Sequence, residues 1–362
     1  MDAASHFPPT YAAARRAFRS AADAVGARLD GRAIPARSPR DEELTIDTAY
    51  LGPDLPGRVL VLSSGIHGVE GFAGSAIQHA FLTRGWDPDR WAPGVGVLLV
   101  HALNPYGFSA LRRVNESNVD LNRNFVRHPE GHVANPGYAA LRDVINPREL
   151  TPETDAACRE RLRAHAADHG PSALQDALTR GQYEWAEGVQ FGGTREEASA
   201  RLMREIAVDG TRDAGEVLWL DLHTGLGPSG EVELISEYAP GAPEFERARQ
   251  WFGPAARSTV GGDSVSVPLC GTIERGIEAA LPGRRVTPLA AEFGTVPAAR
   301  TFWAMRADNW LHRHGDPSSA RGRRIRAELL EVFCPADPAW RRQVLEVARE
   351  VLRLAAGALA GR

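Results

Sequence analysis

The segment Val59–Ala76 reads VLVLSSGIHGVEGFAGSA and leads from one predicted element of secondary structure into another. It starts with an apolar run of buried-strand length, and the pattern from Gly71 to Arg84 predicts a helix. Glycine recurs through the turn between them, where His67 and Glu70 stand three residues apart. A buried strand that passes into a helix is typical of α/β proteins, which place functional side chains at strand ends. The segment therefore predicts both a fold class and a candidate site.

Further along the chain, apolar runs of strand length alternate with helical patterns. The predicted strands are Glu43–Thr48, Val59–Ser63, Val95–Ala102, Val217–Leu222, Val232–Ile235 and Arg285–Ala291. The clearest further helices are predicted at 9–29 and Pro338–Leu359. This alternation predicts an α/β fold with a mixed, mostly parallel sheet covered by helices on both faces.

One long segment, 128–215, differs from the rest because it is polar and mostly helical in pattern. A length of 362 residues allows either one large α/β domain or two ordinary ones. We expect a single domain spanning 1–362, with 128–215 as a helical insertion that packs over one edge of the sheet.

The composition excludes several classes of function. The formal net charge is −4, which gives no reason to expect nucleic acid or an anionic membrane as a partner. All 42 basic residues are arginine, so Schiff-base and P-loop chemistry, which need a lysine, are excluded. The three cysteines lie far apart, the N-terminus lacks the apolar core of a signal peptide, and no apolar run is long enough to span a membrane. We therefore expect a cytoplasmic protein, of an oligomeric state that the sequence does not indicate.

Several common catalytic motifs are absent from the sequence. It contains no GxSxG, no GxxxxGK[ST] and no HExxH. One GxGxxG string does occur, GLGPSG at Gly225–Gly230, but the residues after it predict a strand where a dinucleotide site needs a helix. We interpret it as a glycine-rich turn.

Polar side chains follow four of the predicted strands at the points where those strands end. In open α/β sheets the carboxyl ends of the strands form one edge, and ligands bind outside it. His67 and Glu70 lie one turn apart, and with His223 they form a set of two histidines and one carboxylate. That set is typical of hydrolytic zinc sites, in which water takes the fourth position. The sequence therefore predicts a Zn²⁺ site at these three residues.

Three further side chains near this edge suit amide hydrolysis. Glu292, which follows the strand Arg285–Ala291, could accept a proton from water and pass it to a leaving group. Arg113 suits the oxyanion of an attacked carbonyl, although the neighbouring Arg112 is an alternative. Arg123 has the planar fork that suits a carboxylate. Each of these residues singly has an ordinary interpretation as a core or surface residue, so the prediction depends on their convergence at one edge.

This combination resembles the carboxypeptidase A-like zinc metallopeptidases, including their aspartoacylase and succinylglutamate desuccinylase branch. The resemblance rests on His67-x-x-Glu70, the run VDLNRNF at 119–125, His223 and Glu292, whose order and approximate spacing match. It implies an α/β/α sandwich around a mixed eight-stranded sheet. It also implies zinc bound by His67, Glu70 and His223, with Glu292 as general base and acid.

The resemblance further implies substrate-binding residues. Arg113 resembles the arginine that polarises the scissile carbonyl, and Asn122 with Arg123 resembles the pair that grips a substrate carboxylate. The family often adds a tyrosine over that carboxylate, and Tyr238 is the only late candidate because no tyrosine follows it in the sequence.

Together these residues predict a zinc hydrolase that cleaves an amide bond next to a free carboxylate. The expected substrate is a small peptide or an N-acyl amino acid. A carboxypeptidase is the leading interpretation, and an N-acyl amino acid deacylase is the nearest alternative. A metal-binding or amino-acid-binding protein without catalysis is an alternative of another class.

Overall fold

A single mixed sheet organises the protein, for which a computed structural model describes residues 3–87, 91 and 93–361. The eight strands within these residues are β1 Arg28–Arg37, β2 Glu43–Leu51, β3 Arg58–Ser64, β4 Val95–His101, β5 Glu216–Thr224, β6 Val232–Ser236, β7 Ala256–Ser258 and β8 Arg285–Phe293. Their order across the sheet is β1-β2-β4-β3-β5-β8-β6-β7. The pairs β3–β4, β3–β5, β5–β8 and β6–β7 are parallel, and the remaining three are antiparallel.

Helices cover both faces of this sheet. Those in the described part of the chain are α1 Tyr11–Ala24, α2 Gly71–Ala80, α3 Pro105–Ala110, α4 Pro136–Ile145, α5 Pro152–His169, α6 Pro171–Thr179, α7 Ala198–Gly210, α8 Pro243–Phe252, α9 Ile273–Ala280, α10 Ala298–His314, α11 Ala320–Phe333 and α12 Pro338–Leu359. The helices α1, α2, α12 and α8 contact one another in that order on one face, and α7 contacts α9 on the other. The predicted α/β fold class, a three-layer sandwich around a mixed sheet, is confirmed.

The central strands explain why the sequence showed apolar runs rather than alternation. Every residue of β4 is buried, and β3 is buried from its second residue to its end. Parallel strands with helices on both faces have no solvated side, so both sets of side chains must be apolar. None of the helices among the described residues is both long and apolar enough to cross a bilayer.

The predicted helix at 9–29 ends early, and the strand β1 that follows it was not predicted. The helix ends at Ala24, where Gly26 has a φ of 72° and the N–H of Ala27 bonds the carbonyl of Ala22 at 2.9 Å. This is a glycine-terminated Schellman end. The strand β1 has the sequence RLDGRAIPAR and is mostly exposed, because it lies at the edge of the sheet. An exposed edge strand carries no hydrophobic signal.

The segment 128–215 divides into two parts in the structure. Helices α4, α5 and α6 lie outside the sandwich and share a small apolar cluster around Tyr138 and Leu141. Helix α7, the last helix of the segment, contributes Leu202 and Ile206 to the main core of the protein.

Candidate metal centre

The turn after β3 brings His67 and Glu70 to the carboxyl edge of the sheet. Gly65 has a φ of 67°, a conformation that glycine adopts more readily than other residues, and a 3₁₀ turn begins at Gly68 and ends at Glu70. A Cβ atom on Gly68 would lie 2.1 Å from the backbone of α3, so this approach requires glycine. The N–H of Gly68 then bonds the carbonyl of Arg113 at 3.0 Å. The glycines of this segment therefore allow the turn to pack directly against the chain that carries Arg113.

The side chains of His67, Glu70 and His223 converge in the interior of the protein. Nδ1 of His67 lies 2.9 Å from one carboxylate oxygen of Glu70, and Nδ1 of His223 lies 3.3 Å from the other. The centroids of the two imidazole rings are 5.0 Å apart. One potential ligand atom from each residue lies within 4.8 Å of the other two, and all three residues are buried. The structure therefore brings together the three residues that the sequence predicted as ligands.

The chemistry of these three side chains suits a metal ion. Nδ1 of His67 is buried, and its close approach to Glu70 lacks the geometry of a hydrogen bond. Buried polar atoms in native proteins almost always have a hydrogen-bond partner, and where the protein supplies none, an ion or a water molecule usually does. Burial would raise the pKa of Glu70, but the charges of His67 and His223 lower it, so the carboxylate is ionised. Two imidazoles and an ionised carboxylate suit a divalent metal ion.

Two buried aspartates lie behind the histidines. An oxygen of Asp120 is 3.1 Å from Nε2 of His67, and one of Asp221 is 2.7 Å from Nε2 of His223. Burial would raise the pKa of Asp120, but Arg113 and other cations hold it well below its usual range. Burial would lower the pKa of His223, whereas Asp221 raises it well above its usual range. Carboxylates in this position fix the orientation of ligating imidazoles, a role that the sequence analysis assigned to neither aspartate.

Glu292 lies beside the centre on the neighbouring strand. The parallel register of β5 and β8 places Glu292 directly opposite His223. Its Oε1 accepts a hydrogen bond of 2.8 Å from the backbone N–H of Leu226. Burial, followed by the negative charge of Glu70, raises the pKa of Glu292 to about 8. The structure therefore places a second carboxylate, which holds its proton readily, next to the predicted ligands.

Of the two adjacent arginines, Arg113 lies at the centre and Arg112 points elsewhere. Nη2 of Arg113 is 2.7 Å from Nε2 of His67, and its Nη1 donates a hydrogen bond to Asp120. Arg112 instead pairs with Asp308, with 3.4 Å between Nε and the carboxylate. Only the first of these two arginines lines the cavity over the centre, so the placement favours Arg113 over its neighbour.

Asn122 and Arg123 also line this cavity, and backbone groups hold both side chains. Arg123 donates from Nε and Nη2 to the carbonyl of Thr179, at 3.1 and 2.7 Å, and from Nη1 to the carbonyl of Asn122 at 2.6 Å. The side-chain oxygen of Asn122 accepts a hydrogen bond of 2.7 Å from the N–H of Ile273. These contacts make both residues rigid parts of the wall.

Tyr238 is not brought together with the other predicted site residues. It is not among the residues that line the cavity, and the guanidinium of Arg275 lies 5.3 Å from the centroid of its ring. Its hydroxyl lies beside the carboxylate of Glu278, which does not line the cavity. The placement therefore gives no support to a role for Tyr238 over a substrate carboxylate.

A cavity of about 700 Å³ opens over the centre. The predicted site residues that line it are His67, Glu70, Arg113, Asn122, Arg123, His223 and Glu292. An apolar wall comes from α5, α6, α10 and the chain before α7, and it includes Leu162, Leu174, Leu178, Val189, Phe302 and Trp303. Two glutamates that the sequence analysis missed, Glu237 and Glu274, line the cavity as well. A search for polar residues at the carboxyl ends of parallel strands could not find these two glutamates, because Glu237 follows an antiparallel strand and Glu274 lies in the first turn of α9.

His101, at the end of β4, is a core residue. It is fully buried, its ring stacks on Phe18 with 4.7 Å between centroids, and its Nε2 lies 3.0 Å from the hydroxyl of Ser75. Burial lowers its pKa to about 4, so the ring is neutral.

The sandwich defines a protein of carboxypeptidase-like fold, and its three buried residues that could hold a metal ion form a candidate metal centre. Residues 7–347 match the family described as "Protein of unknown function (DUF2817)", and the chain belongs to that family. No curated protein sequence matches the chain significantly.

Comparison with solved structures supports the same fold. The structure of bovine thrombin-activatable fibrinolysis inhibitor, in complex with tick carboxypeptidase inhibitor, is similar with a TM-score of 0.53, at 10% identity and over 98% of both chains. Carboxypeptidase A from Helicoverpa armigera has a TM-score of 0.46 at 11% identity, over 89% of this chain and 73% of that one. An aspartoacylase family protein from Mesorhizobium loti has a TM-score of 0.37 at 14% identity, over 79% of this chain and 66% of that one. The first of these likenesses confirms the predicted fold.

Proposed function

We propose that this protein is a zinc-dependent hydrolase that cleaves an amide or peptide bond next to a free carboxylate, as a carboxypeptidase does. The observation that carries the proposal is the position of Glu292 opposite His223, beside a buried set of metal-binding residues in one cavity. A protein that only binds a metal has no need of a second buried carboxylate with a raised pKa, whereas a hydrolase needs a proton acceptor.

Three residues would hold the ion in this proposal. His67 and His223 would bind through Nδ1 and Glu70 through its carboxylate, because these atoms face one another. Zinc is typical of such a set, and when bound it supplies a Lewis acid and a water whose pKa falls from 15.7 to about 7. Asp120 and Asp221 keep the two rings in their ligating orientation.

Glu292 would hold and move the proton. Burial favours its protonated form, and a divalent cation nearby favours its charged form, so both forms become accessible near neutral pH. In its charged form Glu292 accepts a proton from the attacking water. In its protonated form it donates that proton to the departing amine. The hydrogen bond from Leu226 keeps the carboxyl group in place.

Two arginines would divide the recognition of the substrate. Arg113 would stabilise negative charge on the carbonyl oxygen, and its contacts with Asp120 and Gln190 hold it in position beforehand. Arg123 would bind the free carboxylate together with Asn122. A guanidinium has five N–H donors, and the bonds to backbone carbonyls use one each on Nε, Nη1 and Nη2. One donor on each terminal nitrogen then remains for a carboxylate.

The apolar wall of the cavity favours a second candidate, an N-acyl amino acid deacylase. Side chains such as Leu174, Leu178 and Phe302 would bury a hydrocarbon acyl chain as readily as the apolar side chain of a peptide. The two candidates share the metal centre and Glu292, and they differ in which side of the scissile bond this wall contacts.

We also propose that the protein is a single domain that functions in the cytosol. Helix α7 joins the segment 128–215 to the main core, which argues against a separate domain. Cys158, Cys270 and Cys334 are free thiols in the structure, as expected in a reducing compartment.

A substrate screen tests the proposed function. The purified protein would be assayed with a blocked dipeptide bearing a free carboxylate, with the amide of that dipeptide, and with an N-acyl amino acid. We expect hydrolysis of the dipeptide with the free carboxylate and no hydrolysis of its amide. A zinc chelator should abolish this activity, and added zinc should restore it. Faster hydrolysis of the N-acyl amino acid would favour the deacylase. Stoichiometric metal binding without turnover of any substrate would contradict both and identify a binding protein.

A further inference from the structure

Gln190 lies beside Arg113 at the cavity, and the mechanism above uses it only as a support for that arginine. It belongs to the chain between α6 and α7, is 5% exposed and lines the cavity. Its Oε1 accepts a hydrogen bond of 3.2 Å from Nη1 of Arg113. The segment 128–215 therefore brings a polar side chain directly to the group that would bind the carbonyl oxygen.

The backbone of Gln190 has a conformation that glutamine rarely adopts. Its φ is 59°, in the left-handed region that favours glycine and, less strongly, asparagine. Hydrogen bonds hold the chain there: the N–H of Gln182 bonds the carbonyl of Gln190 at 3.0 Å, and the N–H of Asp120 bonds the carbonyl of Phe191 at 2.8 Å. Backbone strain of this kind is concentrated at functional sites, where the position of a side chain is part of the mechanism.

The chemistry of Arg113 determines which way the amide of Gln190 points. A guanidinium has N–H donors and no acceptor, so the amide must turn its oxygen towards it. The Nε2 group then points away with two N–H donors, and no residue in the described part of the chain accepts a hydrogen bond from it. Polar groups of buried residues are nearly always hydrogen-bonded in native proteins. Because Gln190 lines the cavity, a group bound there can accept these hydrogen bonds.

Arg113 alone has few donors left for a substrate oxygen. Both N–H groups of its Nη1 are used, one by Asp120 and one by Gln190. Its Nη2 lies 2.7 Å from Nε2 of His67. Enzymes stabilise an oxyanion with donors that are already aimed at the oxygen on which charge develops. An amide beside the guanidinium is placed to supply one more donor of this kind.

We propose that Gln190 is a catalytic residue whose Nε2 donates a hydrogen bond to the oxygen of the attacked carbonyl, beside Arg113. This inference rests on the proposed function, because that oxygen belongs to the amide substrate. The segment 128–215 then completes the active centre as well as forming part of its wall. A residue that only held Arg113 would need the oxygen and not the nitrogen, and a glutamate would hold a guanidinium more strongly.

Substitutions that remove the amide nitrogen test the inference by kinetics. Gln190→Met has a similar length and no N–H, so kcat should fall by about 10²- to 10³-fold, the range for one oxyanion donor. KM should change only a few-fold, because the contact strengthens as charge develops. Gln190→Glu keeps an oxygen for Arg113 but not the donor, and it should lose kcat as well. Full activity in Gln190→Glu would show that the residue acts only through Arg113 and would contradict the inference.

A second glutamine of the cavity wall provides the matched control. Gln175 also lines the cavity, but its Nε2 donates to the carbonyl of Val265 at 2.8 Å. Gln175→Met should therefore keep kcat within a few-fold of the unmodified protein. A loss as large as that of Gln190→Met would mean that any change in the wall impairs turnover, and it would contradict a specific role for Gln190. Metal analysis of each variant shows whether the centre is intact.

A complex with a stable analogue separates this inference from the proposed function. A phosphinic dipeptide is not hydrolysed, and it carries a charged oxygen where the attacked carbonyl would lie. In crystals of the zinc-loaded full chain, one phosphinyl oxygen should lie about 2.7–3.2 Å from both Nε2 of Gln190 and a guanidinium nitrogen of Arg113. That contact, with weaker binding of the analogue to Gln190→Met by calorimetry, supports the inference even if no amide is hydrolysed.

The other outcomes of this experiment are also decisive. If amides are hydrolysed but the oxygen contacts Arg113 alone, or if Gln190→Met binds the analogue as tightly as the unmodified protein, the inference is refuted and the function stands. Failure of the analogue to bind the zinc-loaded protein, together with no hydrolysis of any amide, would contradict both.

Discussion

The two ends of strands β5 and β8 differ in how deeply their charged residues are buried. At the amino ends of β5 and β8, Glu216 and Arg285 form an ion pair of 3.3 Å, and their side chains are 18% and 62% exposed. At the carboxyl ends of these strands, His223 and Glu292 face each other with exposures of 3% and 8%. Identical pairing in one sheet thus places one pair of charged residues in solvent and the other inside the protein.

This difference in burial separates charged residues that can be replaced with little effect from those that the proposed reaction needs. Exposed ion pairs contribute about 0–1 kcal/mol, so the amino ends can change with little effect. Buried ionisable groups destabilise a fold unless they are paired or bound to metal, and they concentrate at functional sites. Mutations at the two ends should therefore give opposite results, large losses of function at one end and almost none at the other.

The largest effect is expected at the ligands. His67→Ala should abolish stoichiometric metal binding, because only Glu70 and His223 of the three ligands remain. Elemental analysis of the purified variant, beside zinc-dependent activity, measures this loss. His79→Ala is a suitable control, since His79 is a half-buried histidine of α2 that pairs with His6. Retention of one metal ion in the His67 variant would contradict the ligand assignment.

Glu292→Gln should retain the metal and lose turnover. The amide keeps the shape of the side chain but cannot accept a proton, so kcat should fall by about 10²- to 10⁴-fold. Steady-state kinetics with parallel metal analysis would show the separation. Activity within a few-fold of the unmodified protein would remove Glu292 from the mechanism.

Arg123→Ala should weaken the binding of substrates that have a free carboxylate. We expect KM for free-acid peptides to rise by about 10- to 100-fold, because a charge-assisted bidentate contact is lost. Arg123→Lys keeps the charge without the fork and should give an intermediate value. A comparison of free-acid and amidated peptides provides the control. Equal losses of activity on the two kinds of peptide would show that Arg123 only maintains the structure of the cavity wall.

The pH dependence of stability should report the burial of Glu292 in the metal-free protein. Its folded-state pKa of about 8 exceeds the ordinary value of 4.5, so the folded protein keeps a proton that the unfolded chain releases. Its contribution to stability is present below the ordinary pKa and is lost as the pH rises towards the folded pKa. Chemical denaturation should therefore show the free energy of unfolding falling with pH more steeply than in Glu292→Gln. Parallel profiles for the two proteins would contradict the raised pKa.

The smallest effect is expected at the amino ends of β5 and β8. Glu216→Gln breaks the exposed pair with Arg285 and should change the free energy of unfolding by less than about 1 kcal/mol. Activity and metal content should not change. A loss of activity comparable to that of Glu292→Gln would mean that the difference between the two ends has been misjudged.

The sequence predicted those parts of the fold that depend on burial. The strands β3, β4, β5 and β8 appeared as apolar runs because helices cover both of their faces. Helix α12 was predicted with its observed bounds, Pro338–Leu359, because proline marks its start and one side is apolar. The edge strand β1 and the three-residue strand β7 were missed because neither carries a hydrophobic signal of sufficient length.

The site was predictable to the extent that its residues follow parallel strands. The convergence of His67, Glu70, His223 and Glu292 could be predicted because the carboxyl ends of such strands meet at one edge. Three other residues at the site were missed: Glu237 follows an antiparallel strand, Glu274 lies in a helix and Asp120 lies in a loop, and no comparable rule exists for these places. The apolar wall also required the structure, since the packing of α5 and α6 over the cavity depends on contacts between distant parts of the chain.

Anomalous X-ray diffraction at the zinc absorption edge, from crystals of the zinc-loaded protein, tests the central claim most directly. We predict one strong peak at about 2.0–2.2 Å from Nδ1 of His67, Nδ1 of His223 and a carboxylate oxygen of Glu70. The carboxyl group of Glu292 should face that peak without ligating it. A peak held by other residues, or none in this cavity at full zinc loading, would contradict the proposed metal centre.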